Sequence, residues 1–98
     1  MANGKELIMP AARREAAQRL SRVEGQIKGI RKMIEEGRYC VEVLGQVSAV
    51  QEALRGVGKV ILHNYLENCV TGALRSGSTK KARETYAELM DLIYKFAK

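Results

Sequence analysis

Apolar residues recur along this chain at alternating intervals of three and four, the period of a helix that buries one face. Ala16, Leu20, Val23, Ile27, Ile30 and Ile34 form the first such stripe. It predicts a helix from Pro10 to about Glu36. Proline suits a first turn because its missing N–H would find no partner there, and Gly37 supplies the stop. A second series, Cys40, Leu44, Val47, Leu54, Ile61, Tyr65 and Cys69, falls close to one seam. It predicts a long helix starting between positions 38 and 40 and ending near Leu74. Gly45, Gly56, Gly58 and Gly72 each cost such a helix about 1 kcal/mol relative to Ala, so they mark close helix contacts or a bend. Ser76-Gly77-Ser78-Thr79 is a turn offering Ser78 or Thr79 as the next N-cap, and Ala82, Tyr86, Leu89, Ile93 and Phe96 form a third stripe. No strand-like alternation persists anywhere. The pattern predicts an all-α fold of three helices in one domain over residues 1–98, with residues 1–8 a flexible arm.

With 98 residues the chain can bury only a modest core. A single domain of this size hides roughly 60% of the surface its unfolded form exposes, so a partner subunit is expected to complete the packing. The apolar stretches fall short of the roughly 20 residues that span a bilayer, and the amino terminus lacks the apolar centre of a secretory signal, which points to the cytoplasm. There Cys40 and Cys69 stay reduced and read as a ligand pair or reactive thiols rather than a structural bridge. The net charge of +6 is unevenly spread: residues 1–38 carry nine Lys or Arg against five Glu, and residues 39–76 are balanced. The first helix is therefore the expected polyanion face.

Cys40 and Cys69 are 29 positions apart. On one straight helix, a rise of about 1.5 Å per residue separates them by roughly 43 Å, far beyond the ~7 Å between Cα atoms that a disulfide tolerates or the reach of a shared metal. A joint site therefore requires a second chain. Two copies packed antiparallel about a two-fold axis near Leu54 and Arg55 would bring Cys40 of each beside Cys69 of the other. The alternative is that both are small buried apolar residues. Cys40, in the first turn of its helix and beside Arg38, is the expected nucleophile because a helix amino terminus and a cation both favour thiolate. Cys69 would be the resolving thiol.

Several runs resemble the copper-sensitive operon repressor (CsoR) family: Arg19-Leu20-Ser21-Arg22-Val23-Glu24-Gly25-Gln26, Gly29-Ile30, and Met33-Ile34-Glu35-Glu36-Gly37-Arg38-Tyr39-Cys40. Val43 to Gln51, Ala53-Leu54-Arg55-Gly56 and Cys69-Val70 are similar in type and spacing, so the likeness covers about residues 12–75. It implies three-helix protomers forming an antiparallel dimer and then a disc-shaped dimer of dimers, which represses an operon until an inducer reaches the inter-subunit cysteines. It also implies that Arg19, Arg22 and Arg55 contact operator DNA. Arg19, Arg22 and Gln26 share one face of the first helix. An ordinary solvated face is the competing reading of those arginines.

In copper-sensing members a histidine precedes the second cysteine by four residues and completes a Cys-His-Cys site for Cu(I). Here that position is Tyr65, a hard, protonated oxygen donor that does not suit a soft ion. His63 lies six residues before Cys69, about 120° around the helix, and does not replace it. Nickel-, cobalt- and formaldehyde-sensing members use histidine patterns that this chain lacks. It looks most like the persulfide-responsive, CstR-like branch, which implies no metal cofactor, sensing through Cys40 and Cys69, and a persulfide or polysulfide inducer. Tyr39 and Tyr65 would shape access to the thiols, or simply pack. The alternatives are a Cu(I) repressor using the two thiols alone, a small thiol sulfurtransferase, and a purely structural or DNA-compacting oligomer.

Overall fold

A computed structural model describes residues 8–96, Phe96 in its backbone only. All but the last position of the expected 1–8 arm lies outside the described residues, as does the side chain of Phe96. Most of those described are helical, with no strand among them: α1 (Pro10–Glu35), α2 (Cys40–Asn64), a π-helical segment (Tyr65–Val70), α3 (Thr71–Arg75) and α4 (Thr79–Phe96).

Residues 9–62 form one compact unit. Pro10 occupies the first turn of α1 and needs no side-chain cap before it. The helix ends in a Schellman motif: Gly37 N–H donates to the Ile34 carbonyl at 3.1 Å and Arg38 N–H to the Met33 carbonyl at 3.0 Å. Gly37 has φ of +70°, a conformation that a Cβ would disfavour. The chain then turns into α2, and Arg19 touches Gly56 on the far side of that turn, so α1 and α2 pack as an antiparallel hairpin. Its buried apolar residues are Ala16, Val23, Val50 and Val57.

Burial divides the predicted stripe of α1 in two. Ala16 and Val23 are buried and Ile30 half-buried, whereas Leu20, Ile27 and Ile34 are 43%, 46% and 62% exposed. A stripe wide enough for two neighbours has found one within the chain. The seam expected on α2 behaves the same way. Val50 and Val57, outside that series, face the hairpin, while Leu44 and Leu54 are exposed.

The other compact unit contains the described residues from His63 onward. One long α-helix to Leu74 is not what forms, because the backbone widens to π geometry over Tyr65–Val70 and returns to α for Thr71–Arg75. Asn68 Nδ2 donates to the Asn64 carbonyl at 3.0 Å, and Thr71 Oγ1 to the Leu66 carbonyl at 3.0 Å, so polar side chains satisfy carbonyls where the regular ladder is interrupted. After Gly77, with φ of +74°, Ser78 caps α4 by accepting from Lys81 N–H at 3.2 Å, which decides between the two cap candidates. The inward face of α4 is Ala82, Thr85, Leu89 and Leu92; Tyr86 and Ile93 of the predicted stripe are exposed. The expected line is therefore displaced around the helix, because a small polar residue, Thr85, takes a buried place that hydrophobicity alone would not assign.

Candidate sensor thiols and basic surface

Cys40 is the first residue of α2 and is exposed; Cys69 lies in the π-helical segment and is buried; neither is in a disulfide. The first-turn position expected for Cys40 is therefore observed. Arg38, two residues before it, pairs its guanidinium with Glu42 at 3.2 Å. That hydrogen bond, followed by the Glu42 charge, raises the Arg38 pKa from its ordinary value. The cation is thus turned along the helix to a carboxylate. Tyr39, the residue before α2, is 67% exposed.

Tyr65 opens the π segment one turn before Cys69 and is half-buried. Its hydroxyl donates to Glu88 Oε1 at 2.7 Å and approaches the Thr85 carbonyl at 3.4 Å, two positions on α4. Burial pushes the phenol well above its ordinary pKa of 10.0, and the hydrogen bond to Glu88, the charge of Glu88 and Cys69 add to the rise. The phenol is neutral and committed as a donor, unlike an imidazole offering a lone pair. His63 is exposed, with Nε2 2.8 Å from Glu67 Oε1, so it faces a carboxylate on the surface. Among the described residues no group of three or more His, Cys, Asp or Glu is placed to hold a metal ion. A thiol is the kind of donor that a soft monovalent ion prefers, and a hydrogen-bond-donating phenol is not.

The basic positions lie mainly on α1. Arg19 and Arg22 are exposed and Gln26 is half-buried. Arg19 donates through both Nε and Nη2 to Glu15 Oε2, at 3.2 and 3.1 Å, and its Nη1 lies against Gly56. Arg55 is exposed and pairs with Glu52 at 3.0 Å. The hairpin thus brings Arg19 to the residue after Arg55. Gly56, one of the glycines expected to mark a close helix contact, meets Arg19 of α1, whereas Glu15 and Glu52 were not singled out in the sequence. The acidic partners stand at helical spacings of three and four that could have exposed them. Glu88 and Thr85 had no such signal, because their meeting with Tyr65 depends on how α4 returns.

The sequence profile described as "Metal-sensitive transcriptional repressor" matches residues 12–95. The copper-sensing transcriptional repressor CsoR of Bacillus subtilis (strain 168) is 44% identical over 80 residues, covering 82% of this chain and 76% of that protein. The copper-sensing transcriptional repressor RicR of Mycobacterium tuberculosis is 54% identical over 61 residues, 62% of this chain and 64% of its own length. Among solved structures, the copper-sensing repressor CsoR with Cu(I) from Geobacillus thermodenitrificans NG80-2 superposes with a TM-score of 0.82 at 41% identity, covering 92% of this chain and 91% of that one. The nickel-responsive transcriptional regulator InrS gives 0.73 at 38% identity, over 85% and 90%. These are repressors and regulators rather than enzymes, which removes the sulfurtransferase alternative. A profile spanning most of the chain, relatives of this identity and the shared all-helical fold agree: the chain belongs to the metal-sensitive transcriptional repressors.

Proposed function

We propose that this repressor holds operator DNA through the α1 and Arg55 surface and is released when Cu(I) is captured by Cys40 of one subunit and Cys69 of another. The observation that carries this reading is a pair of cysteines outside any disulfide in a chain whose relatives are named for copper sensing. The persulfide branch expected from Tyr65 gains no support from those relatives, so copper, first considered as the alternative, takes precedence. The ligand set is Cys40 and Cys69 without Tyr65, whose hydroxyl donates to Glu88. Bound Cu(I) would supply a link between two chains that neither thiol makes alone. Tyr39 and Tyr65 flank the thiols in sequence and govern access to them.

The exposed apolar surface supports an assembly of several copies. Leu20, Ile27 and Ile34 recur every seven residues on α1, and Leu44 and Leu54 are exposed on α2. Such a row in a small basic protein is covered by a second copy, giving an antiparallel dimer and, by family likeness, a dimer of dimers. Each protomer would act as one domain, in the cytoplasm, where its thiols stay reduced. No helix among the described residues is long and apolar enough to cross a membrane. Arg19, Arg22, Gln26 and Arg55 meet the duplex, with phosphate contacts making binding steeply salt-dependent.

A second reading is favoured by one observation, the phenol in place of an imidazole. Under it the inducer is a persulfide. The Cys40 thiolate attacks the outer sulfur of a low-molecular-weight persulfide and expels the donor thiolate. The neighbouring Cys69 thiolate then attacks the Cys40 sulfur, expelling hydrosulfide and leaving an inter-chain disulfide. Anaerobic titration of the repressor–operator complex with Cu(I), buffered by a competing chelator, and separately with glutathione persulfide, distinguishes the two. Release at about one Cu(I) per protomer supports copper; release by persulfide alone, with an inter-chain crosslink in the intact mass, transfers the function to reactive sulfur.

A further inference from the structure

Gly56 lies inside α2, and nothing in its backbone requires glycine: the positive-φ glycines among the described residues are Gly37 and Gly77. Alanine is the better helix former at such a position. Its surroundings differ from those of Gly45 on the same helix. A Cβ at Gly45 would meet nothing within 4 Å, whereas a Cβ at Gly56 would lie 2.9 Å from Arg19 Nη1 and 4.0 Å from Arg19 Cζ. The neighbour is the far end of a flexible side chain, so an added methyl group would displace the guanidinium and leave the helices in place. The opposite edge of the same group, Nε with Nη2, is held by Glu15. Two restraints, a carboxylate on α1 and a notch in α2, therefore fix a cation that would otherwise sample many rotamers.

The geometry points to Gly56 as the positioning residue that holds Arg19 against α2, next to Arg55, so that the two helices present one phosphate-binding surface. This rests on the assignment of Arg19 to operator DNA. A guanidinium is a planar fork that recognises phosphate bidentately only when its plane is set, so freeing Arg19 keeps its charge and loses its aim.

The test compares wild type, Gly56→Ala, Arg19→Ala and the double variant in full-length protein. Operator affinity is measured by fluorescence anisotropy at several salt concentrations, with thermal unfolding alongside. Arg19→Ala is expected to weaken binding about tenfold and to lower the salt slope by about one per lost phosphate contact. Gly56→Ala is expected to weaken binding by at least about threefold while unfolding at or above the wild-type temperature, since only the orientation of one charged hydrogen-bonding group is disturbed. The double variant should bind no more weakly than Arg19→Ala alone. Wild-type affinity in Gly56→Ala beside a weakened Arg19→Ala would overturn the positioning role and leave the DNA assignment standing. An unaffected Arg19→Ala would overturn both. A lowered unfolding temperature in Gly56→Ala that persists in the double variant would also overturn it, because the methyl group would then be meeting the helices and not Arg19.

Discussion

Replacing Tyr65 by Phe removes one oxygen and, with it, the hydroxyl's hydrogen bonds from the π-helical segment to α4. The bond to Glu88 is short, at 2.7 Å, and its acceptor is a carboxylate; the approach to the Thr85 carbonyl is 3.4 Å and contributes little. A hydrogen bond to a charged group contributes about 1.5–3 kcal/mol when both partners are dry. Glu88 is exposed and regains water when the phenol leaves, which reduces the expected loss to about 1 kcal/mol. The same figure is expected as the coupling energy between Tyr65→Phe and Glu88→Gln in a double-mutant cycle, measured by urea unfolding at one fixed protein concentration. The pH dependence has a definite sign. The folded phenol holds its proton above the ordinary value, so its contribution is complete below about pH 10, where the unfolded chain also keeps the proton. Above that pH the unfolded chain ionises first, and stability falls by up to about 1.4 kcal/mol per pH unit relative to Tyr65→Phe. Coupling below about 0.3 kcal/mol together with parallel alkaline slopes in the two proteins would refute the hydrogen bond as a structural tie.

Two further outcomes follow from the same geometry. Tyr65→His supplies the missing imidazole beside Cys69 and is expected to tighten Cu(I) binding by about tenfold or more in chelator competition; unchanged affinity would show that position 65 does not face the copper site. Gly37→Ala, at φ of +70°, is expected to lose about 1–2 kcal/mol in urea unfolding, and a neutral substitution would contradict the left-handed stop of α1.

Periodicity was enough to find the helices, because Pro10, Gly37 and the Ser76–Thr79 turn mark their ends by backbone chemistry that acts locally. It could not say which half of the α1 stripe stays inside the chain: Val23 and Ile27 are equally apolar, and only the register of the hairpin buries the first and exposes the second. The π segment was illegible for a related reason. Asn64, Asn68 and Thr71 are unremarkable in an α-helix, and their side chains reveal the interruption only once the carbonyls they satisfy are placed. In the candidate site the thiols and the Tyr65 departure were legible as residue types at fixed spacings. The partners of the neighbouring side chains were not: Arg38 turns to Glu42, four residues along its own chain, and Tyr65 finds Glu88 only through the return of α4.

Mixed assembly tests the central claim most directly. Cys40→Ser and Cys69→Ser proteins, each unable to complete a two-thiol site with its own kind, are unfolded together, refolded as a mixture and titrated with Cu(I) while bound to fluorescent operator DNA. Neither parent should release DNA at one Cu(I) per protomer, and the mixture should regain a substantial part of the wild-type response, because a mixed dimer restores one Cys40–Cys69 pair. A mixture as unresponsive as its parents, or a full response from either parent alone, would contradict a sensor shared between subunits.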